Sequence, residues 1–236
     1  MSSIDSELFY LFDNQLYRHT NNESTKLTKI QPSKKDPLRR LYSDSDGDLW
    51  VVRNSTVQIW NPVNEKLYEL EGLPAIINII EFKPHFFLAH DFEKLLLVEK
   101  DPLNKRIKQV SIIQEDINLP ANFLFDSKSK LVFLAQSDNQ LRVFDTKQSI
   151  YEKKPLKNLG VVNGMFAEKN GKFIWLATNA GLYKYFPEDH DYIKEDIPSD
   201  KMNTILTNVV SDLEGNVWIS SNNGIFRYQP DSKTVD

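Results

Sequence analysis

The sequence predicts an all-β fold built from one unit repeated about six times. Three observations carry this reading. First, SDSDGDLWVVRNSTVQIWNP (Ser43–Pro62) returns as SDLEGNVWISSNNGIFRYQP (Ser211–Pro230). Ser43, Asp44, Gly47, Trp50 and Pro62 are matched by Ser211, Asp212, Gly215, Trp218 and Pro230. Second, each unit splits into four short runs rich in β-branched and aromatic residues, separated by Gly, Asn and Asp clusters that suit hairpin turns. Third, no stretch keeps the 3.6-residue apolar period of a helix. Four antiparallel strands recurring every 40–45 residues or so describe a β-propeller blade.

The units run in order over 1–36, 37–73, 74–117, 118–157, 158–198 and 199–236, as one propeller region covering 1–236. A large apolar residue marks the second strand of each. This slot falls on Phe9, Phe87 and Phe133 in the weaker copies, and on Trp50, Trp175 and Trp218 in the stronger ones, at spacings of 41, 37, 46, 42 and 43. Unit five has the clearest pattern: NGMFAE, then KFIWLAT after an Asn-Gly turn, then GLYKYF, then DYIKEDI. Unit one starts at a second strand, ELFYLF, so an inner strand is expected to be missing there. Unit six leaves only SKTVD for a fourth strand. The expectation is therefore an incomplete portion of a larger, seven-bladed propeller, with a closed six-bladed ring as the alternative.

Composition excludes several functions. A net charge of −4 provides no general attraction to nucleic acid or to an anionic membrane. There is no cysteine, hence no disulfide or thiolate metal site. The chain shows neither a secretory leader nor an apolar run of spanning length.

The sequences DSDGDLWVV, NGKFIWLATNAGLYKYFP and LEGNVWISSNNGIFRYQP resemble the two-component regulator propeller repeat, an Asp-x-x-Gly-x-apolar-Trp pattern closed by Gly-apolar-x-Arg/Lys-Tyr/Phe. Units five and six keep it well. Unit two has Thr56 at its second glycine, and the others keep only the pattern. The resemblance implies the ligand-sensing propeller of a hybrid two-component histidine kinase receptor, often tuned to oligosaccharides. It implies a periplasmic location if the chain is an excised sensor portion; a complete chain would be cytoplasmic. The implied partners are an oligosaccharide or other small ligand, and another propeller or protomer. No nucleic acid is implied, and a membrane only through missing parts of a parent chain.

Candidate chemistry is sparse. Asp44, Asp46 and Asp48 suggest a calcium loop, but the glycine falls at the fourth position instead of the sixth, and Ser55 stands where a bidentate Glu is needed. The carboxylates are therefore read as incidental to a hairpin turn. A sialidase-type Asp-box fails at Ser45 and Leu213, and the arginines do not cluster. His19, His85, His90 and His190 have no metal-ligand spacing, and no nucleophile elbow exists. The slot aromatics are read as packing between blades. No enzyme activity, cofactor, catalytic residue or metal is expected. The remaining candidates are the polar loops joining second and third strands, where a propeller gathers ligands beside its channel. These supply Arg53, Asn54, His90, Asp91, Gln136, Asp138, Asn139, Thr178, Asn179, Asn222 and Asn223. Protein-scaffold and sugar-processing functions are the alternatives to sensing.

Overall fold

A computed structural model describes residues 2–4, 7–31, 33–116, 122–135, 140–155, 159–168, 171–197 and 205–236. The chain divides into two compact units, Met1–Pro120 and Ala121–Asp236. The described residues form six four-stranded antiparallel sheets, three in each unit, and no helix. The fold is a β-propeller.

In the first unit, blade 1 is β1 (Ser2–Ile4), β2 (Glu7–Phe12), β3 (Gln15–Thr20) and β4 (Glu23–Lys26). Blade 2 is β5 (Leu38–Ser43), β6 (Leu49–Arg53), β7 (Val57–Asn61) and β8 (Lys66–Glu69). Blade 3 is β9 (Asn78–Lys83), β10 (Phe86–His90), β11 (Leu95–Asp101) and β12 (Arg106–Gln114). In the second unit, blade 4 is β13 (Asn122–Asp126), β14 (Leu131–Ala135), β15 (Gln140–Asp145) and β16 (Ile150–Pro155). Blade 5 is β17 (Val162–Ala167), β18 (Ile174–Thr178), β19 (Gly181–Phe186) and β20 (Asp191–Lys194). Blade 6 is β21 (Leu206–Ser211), β22 (Val217–Ser221), β23 (Gly224–Gln229) and β24 (Thr234–Val235).

Blade 1 corrects one expectation. Its inner strand exists: Ser2 pairs with Phe9 and Ile4 with Glu7. It was illegible because it is three residues long and largely polar. Blade 6 likewise has a short fourth strand, Thr234–Val235, paired to Gln229 and Tyr228.

The strand sequences follow from where the strands lie. Central strands are buried on both sides, so β6 reads Leu-Trp-Val-Val-Arg with every residue buried. Its side chains alternate between two seams, as strand geometry requires. Leu49 and Val51 join Phe9 and Leu16 of blade 1, while Trp50 and Val52 join Phe87, Ala89 and Val98 of blade 3. In the second unit Phe133 and Ala135 meet Ile174 and Leu176. Trp175 and Ala177 meet Val209, Val217 and Tyr228. Outer strands such as β4 are exposed throughout and read Glu-Ser-Thr-Lys.

These seams shift one slot residue. Trp50, Phe133 and Trp175 all face the following blade, but Phe87 faces the preceding one. The residue of blade 3 in phase with Trp50 is therefore Leu88, on the other side of β10.

The repeated Asp-x-x-Gly-x-x-Trp stretch is one hydrogen-bonded unit. Asp44 Oδ1 accepts from the backbone N–H of Asp46 and of Asp48, both at 3.0 Å, and its Oδ2 accepts from Trp50 Nε1 at 2.8 Å. Asp212 does the same in blade 6, accepting from Glu214 N, Asn216 N and, at 2.8 Å, Trp218 Nε1. In blade 5 Glu168 accepts from Trp175 Nε1 at 3.0 Å. The glycine follows from the backbone: Gly47, Gly171 and Gly215 have φ of 73°, 62° and 86°, the left-handed region that disfavours any Cβ. The carboxylate thus caps the turn and, at Trp50 and Trp175, satisfies an indole that would otherwise be buried without a partner.

Candidate functional site

A four-stranded meander brings the start of each first strand and the end of each second strand to one face. Asn78 pairs with His90, Asn122 with Ala135, Val162 with Thr178, and Leu206 with Ser221. At this face the ladder of blades 2, 5 and 6 breaks in the same place, between Leu38 and Arg40, Val162 and Gly164, and Leu206 and Asn208. The extra residues are Arg39, Asn163 and Thr207. A bulge of this kind re-aims a side chain at a strand end.

In the second unit the bulges shape a cleft of about 230 Å³. It is lined by Asn122, Phe123, Asn163, Met165, Thr207 and Asn208, with Gly164 on its wall. The three inner strands are stitched together here. Asn122 Nδ2 donates to the Asn163 carbonyl at 2.5 Å, and Asn163 Nδ2 donates to the Leu206 carbonyl at 2.7 Å. Asn163 Nδ2 also donates to Asn179 Oδ1 at 2.7 Å. Asn208 Oδ1 accepts from Val209 N, and Thr207 Oγ1 bonds Ser220 Oγ at 2.8 Å. Gly164 permits this closeness, since a Cβ there would lie 2.7 Å from the Asn208 Cα. Among the described residues, Asn208 Nδ2 and the Oδ1 atoms of Asn122 and Asn163 are left for a ligand. The described lining residues offer both donors and acceptors and include no titratable group.

The loop residues expected from sequence divide. Asn179 reaches the cleft through Asn163. The Arg53 guanidinium is buried and engaged, bonding Gln58 Oε1 at 3.0 Å and the carbonyls of Asp36 and Gln31. Thr178 is fully buried, donating to Gly181 O and accepting from Ala180 N. Asp91 caps its own turn through Glu93 N and Lys94 N. Asn54 accepts from Arg39 Nε, and His90 is fully buried. Asn222 and Asn223 are exposed in the β22–β23 turn, where the Asn223 N–H bonds Ser221 Oγ. Gln136, Asp138 and Asn139 lie outside the described residues.

Sequence reasoning missed Asn122, Asn163, Thr207 and Asn208. The signal available was slight: Asn122 opens β13, and Asn163 and Thr207 stand second in β17 and β21.

A second polar centre corrects the reading of Asp44, Asp46 and Asp48 as incidental. In the first unit Lys100, from β11 of blade 3, places its fully buried ammonium among all three carboxylates. It bonds Asp44, and lies 2.9 Å from Asp46 and 2.7 Å from Asp48. Lys105 adds a contact to Asp48 at 2.6 Å, and Asn61 Nδ2 donates to Asp48 at 2.6 Å. Burial pushes the Asp48 carboxyl up, but the two ammoniums and the amide outweigh it and hold it below its ordinary value. Burial likewise opposes the charge on Lys100, and the carboxylates outweigh it and raise its pKa. The space where three carboxylates converge holds the chain's own cation.

No family model matches the chain, and no curated protein matches it. Solved structures share its fold. An extracellular domain from B. thetaiotaomicron, described as that of the one-component or hybrid two-component system BT4673, superposes with TM-scores of 0.65 and 0.61 at 19% and 20% identity over 92% of this chain. This chain spans about a third of that domain, 32% and 31%. Streptogramin B lyase superposes with a TM-score of 0.75 at 14% identity over 100% of this chain and 80% of its own. A chain of the nidogen/laminin complex superposes at 0.66 with 8% identity, over 97% and 91%. At these identities the likeness is one of fold.

Proposed function

We propose that this chain is the ligand-sensing propeller of a two-component signalling receptor, and that it recognises an oligosaccharide or other small polar ligand and signals to a histidine kinase. The observation that carries the reading is the cleft at the starts of β13, β17 and β21. Three asparagines and a threonine line it, and two of these four are bulge residues aimed by the backbone. Amides and hydroxyls recognise sugar hydroxyls through paired donors and acceptors. The repeat motif and the fold shared with the BT4673 domain support the signalling role. A receptor of this kind places the propeller in the periplasm.

The stitching suggests how occupancy is passed on. The Asn122–Asn163–Leu206 bonds link three blades, so a ligand that bridges the asparagines favours one spacing of those blades over others. That is a population shift driven by differential affinity. Catalysis fits the cleft less well, because the described lining residues include no group to move a proton near neutral pH.

Isothermal titration against neutral and acidic oligosaccharides tests the proposal. A saturable response is expected, weakened about tenfold by Asn208→Ala, the cost of one good hydrogen bond. No response to any glycan, peptide or small metabolite overturns it. Turnover of aryl-glycosides or uronate polymers instead points to an enzyme.

A further inference from the structure

The seam between blades 2 and 3 and the seam between blades 4 and 5 differ at one repeated place. Two residues before Trp50 stands Asp48, and Asn61 at the end of the third strand bonds it. Two residues before Phe133 stands Leu131, and the third-strand residue opposite is Asp145. The following blade supplies the residue three places after the proline that follows its third strand. This is Lys105 in blade 3 and His190 in blade 5, with φ of 51° and 54°. In the first unit Lys105 reaches back to Asp48 at 2.6 Å and Lys100 joins it at 2.7 Å, so the place is filled by the chain's own ion pair. In the second unit Leu131 stands for the carboxylate and His190 for the lysine, and a hollow of about 250 Å³ opens there.

This hollow lies at the opposite end of the blades from the asparagine cleft: Leu131 opens β14, whereas Asn122 pairs with Ala135 at its close. Leu131, Val143 and Ile150 give it an apolar lining, and Asp145, Glu152 and His190 are among its polar groups. Those groups are unevenly satisfied. Lys154 Nζ contacts Glu152 at 2.5 Å. Asp145 caps its own turn with one oxygen only, Oδ1 accepting from Lys147 N at 2.7 Å and Gln148 N at 3.0 Å. Its Oδ2 has no partner among the described residues. Lys154 holds the Glu152 carboxyl below its ordinary value, His190 adds a smaller pull, and the Asp145 charge pushes the other way. The two carboxylates therefore feel each other, and one ammonium between them leaves negative charge in excess. His190 is fixed at the edge by Tyr185, whose hydroxyl lies 3.1 Å from Nδ1 and whose side chain is fully buried.

We propose that this hollow binds a small organic ammonium, with its apolar body against Leu131, Val143 and Ile150 and its charged nitrogen on Asp145 Oδ2. Two observations choose the ligand. The excess charge is negative, and in the first unit the corresponding place takes an ammonium from the corresponding residue, Lys105. Small-molecule sites combine an apolar lining with a few polar groups that fix orientation, and this volume, just under their usual range, suits a small body. A charge-assisted bond to a carboxylate is the strong kind. A bare metal ion fits less well, since among the described residues only Asp44, Asp46 and Asp48 converge closely enough to hold one. The site is separate from the asparagine cleft and does not depend on what that cleft binds.

Isothermal titration and methyl NMR of the whole chain test this with phenethylammonium and n-hexylammonium as probes. Both are expected to bind saturably and to shift the methyl signals of Leu131, Val143 and Ile150. Phenylethyl alcohol and phenylacetate, which lack the positive charge, should bind at least about tenfold more weakly. Asp145→Asn keeps a carbonyl oxygen for the turn cap and should weaken amine binding about tenfold while leaving the alcohol unchanged. Ile150→Lys, at a residue 45% exposed, brings a chain ammonium to the hollow and should abolish amine binding. Nα-acetyllysine methylamide carries the same ammonium on a peptide side chain. Its amide groups do not suit the apolar lining, so it should bind more weakly than either amine; equal or tighter binding overturns the assignment to a small molecule. No saturable binding of either amine overturns the proposal, as does binding that leaves those methyls unmoved. Alcohol binding as tight as the amine, or an Asp145→Asn variant that binds amines like the wild type, also overturns it.

Discussion

The ammonium of Lys100 lies 2.7 Å from the carboxylate of Asp48, although 52 residues separate them and neither side chain touches water. Together with Asp44 and Asp46 this contact fastens the β5–β6 hairpin of blade 2 to the third strand of blade 3.

Replacing Lys100 with Met removes the cation and leaves buried carboxylates facing each other. Breaking one side of a buried ion cluster costs about 3–5 kcal/mol. Urea denaturation should show a loss of that size, mostly as a lower midpoint. The variant Asp48→Asn/Lys100→Met should lose less than the sum of the single changes, because the two groups are coupled.

The same cluster sets a pH window. Asp48 is held below its ordinary value, so its contribution is present above the unfolded carboxylate pKa of about 4 and is lost as pH falls through the folded value. Lys100 is raised, so its contribution is present below the unfolded lysine pKa and is lost as pH rises through the folded one. Thermal melts should therefore show a plateau from mildly acidic to mildly alkaline pH, falling at both ends. Asp48→Asn should flatten the acid limb.

The tryptophans should separate by burial, not by motif. Trp50→Ala and Trp175→Ala empty sites that are 0% and 1% exposed, and each should cost about 3–5 kcal/mol. Trp218→Ala should cost about 1 kcal/mol, chiefly the lost contact to Asp212. Denaturant titration of the three variants checks the ranking.

Two glycines fail for different reasons when changed to alanine. Gly215→Ala meets open space but keeps a φ of 86°, so it should cost about 1 kcal/mol and leave ligand binding intact. Gly164→Ala drives a methyl against the Asn208 backbone, so about 1–3 kcal/mol is expected together with a distorted cleft. Titration of both variants with any ligand of the wild type separates these outcomes.

The repeat was legible because Gly47, Gly171 and Gly215 answer a backbone demand, and Trp50, Trp175 and Trp218 each hand an indole N–H to the carboxylate that opens the same turn, both local in sequence. The blade 3 slot was misplaced because Phe86-Phe87-Leu88 is uniformly apolar, so no polar residue marks which side faces which seam. Asp44 looked incidental because its partners are an indole and a distant lysine. The cleft was hidden for another reason. A bulge is a register event, and nothing in the residues Asn163 or Thr207 announces it. The loop candidates were polar as expected, but Arg53, Thr178 and Asp91 turn their polarity inward to hold their own hairpins.

Every described strand pairs only with its neighbours along the chain. A blade emerging during synthesis can therefore close all its ladders before the next blade has been made. The seam is what must wait: until Phe87 follows it, Trp50 sits on a finished sheet with its broad face still wet. Nascent chains that end before Phe87 would carry that exposed indole, a surface open to unwanted association.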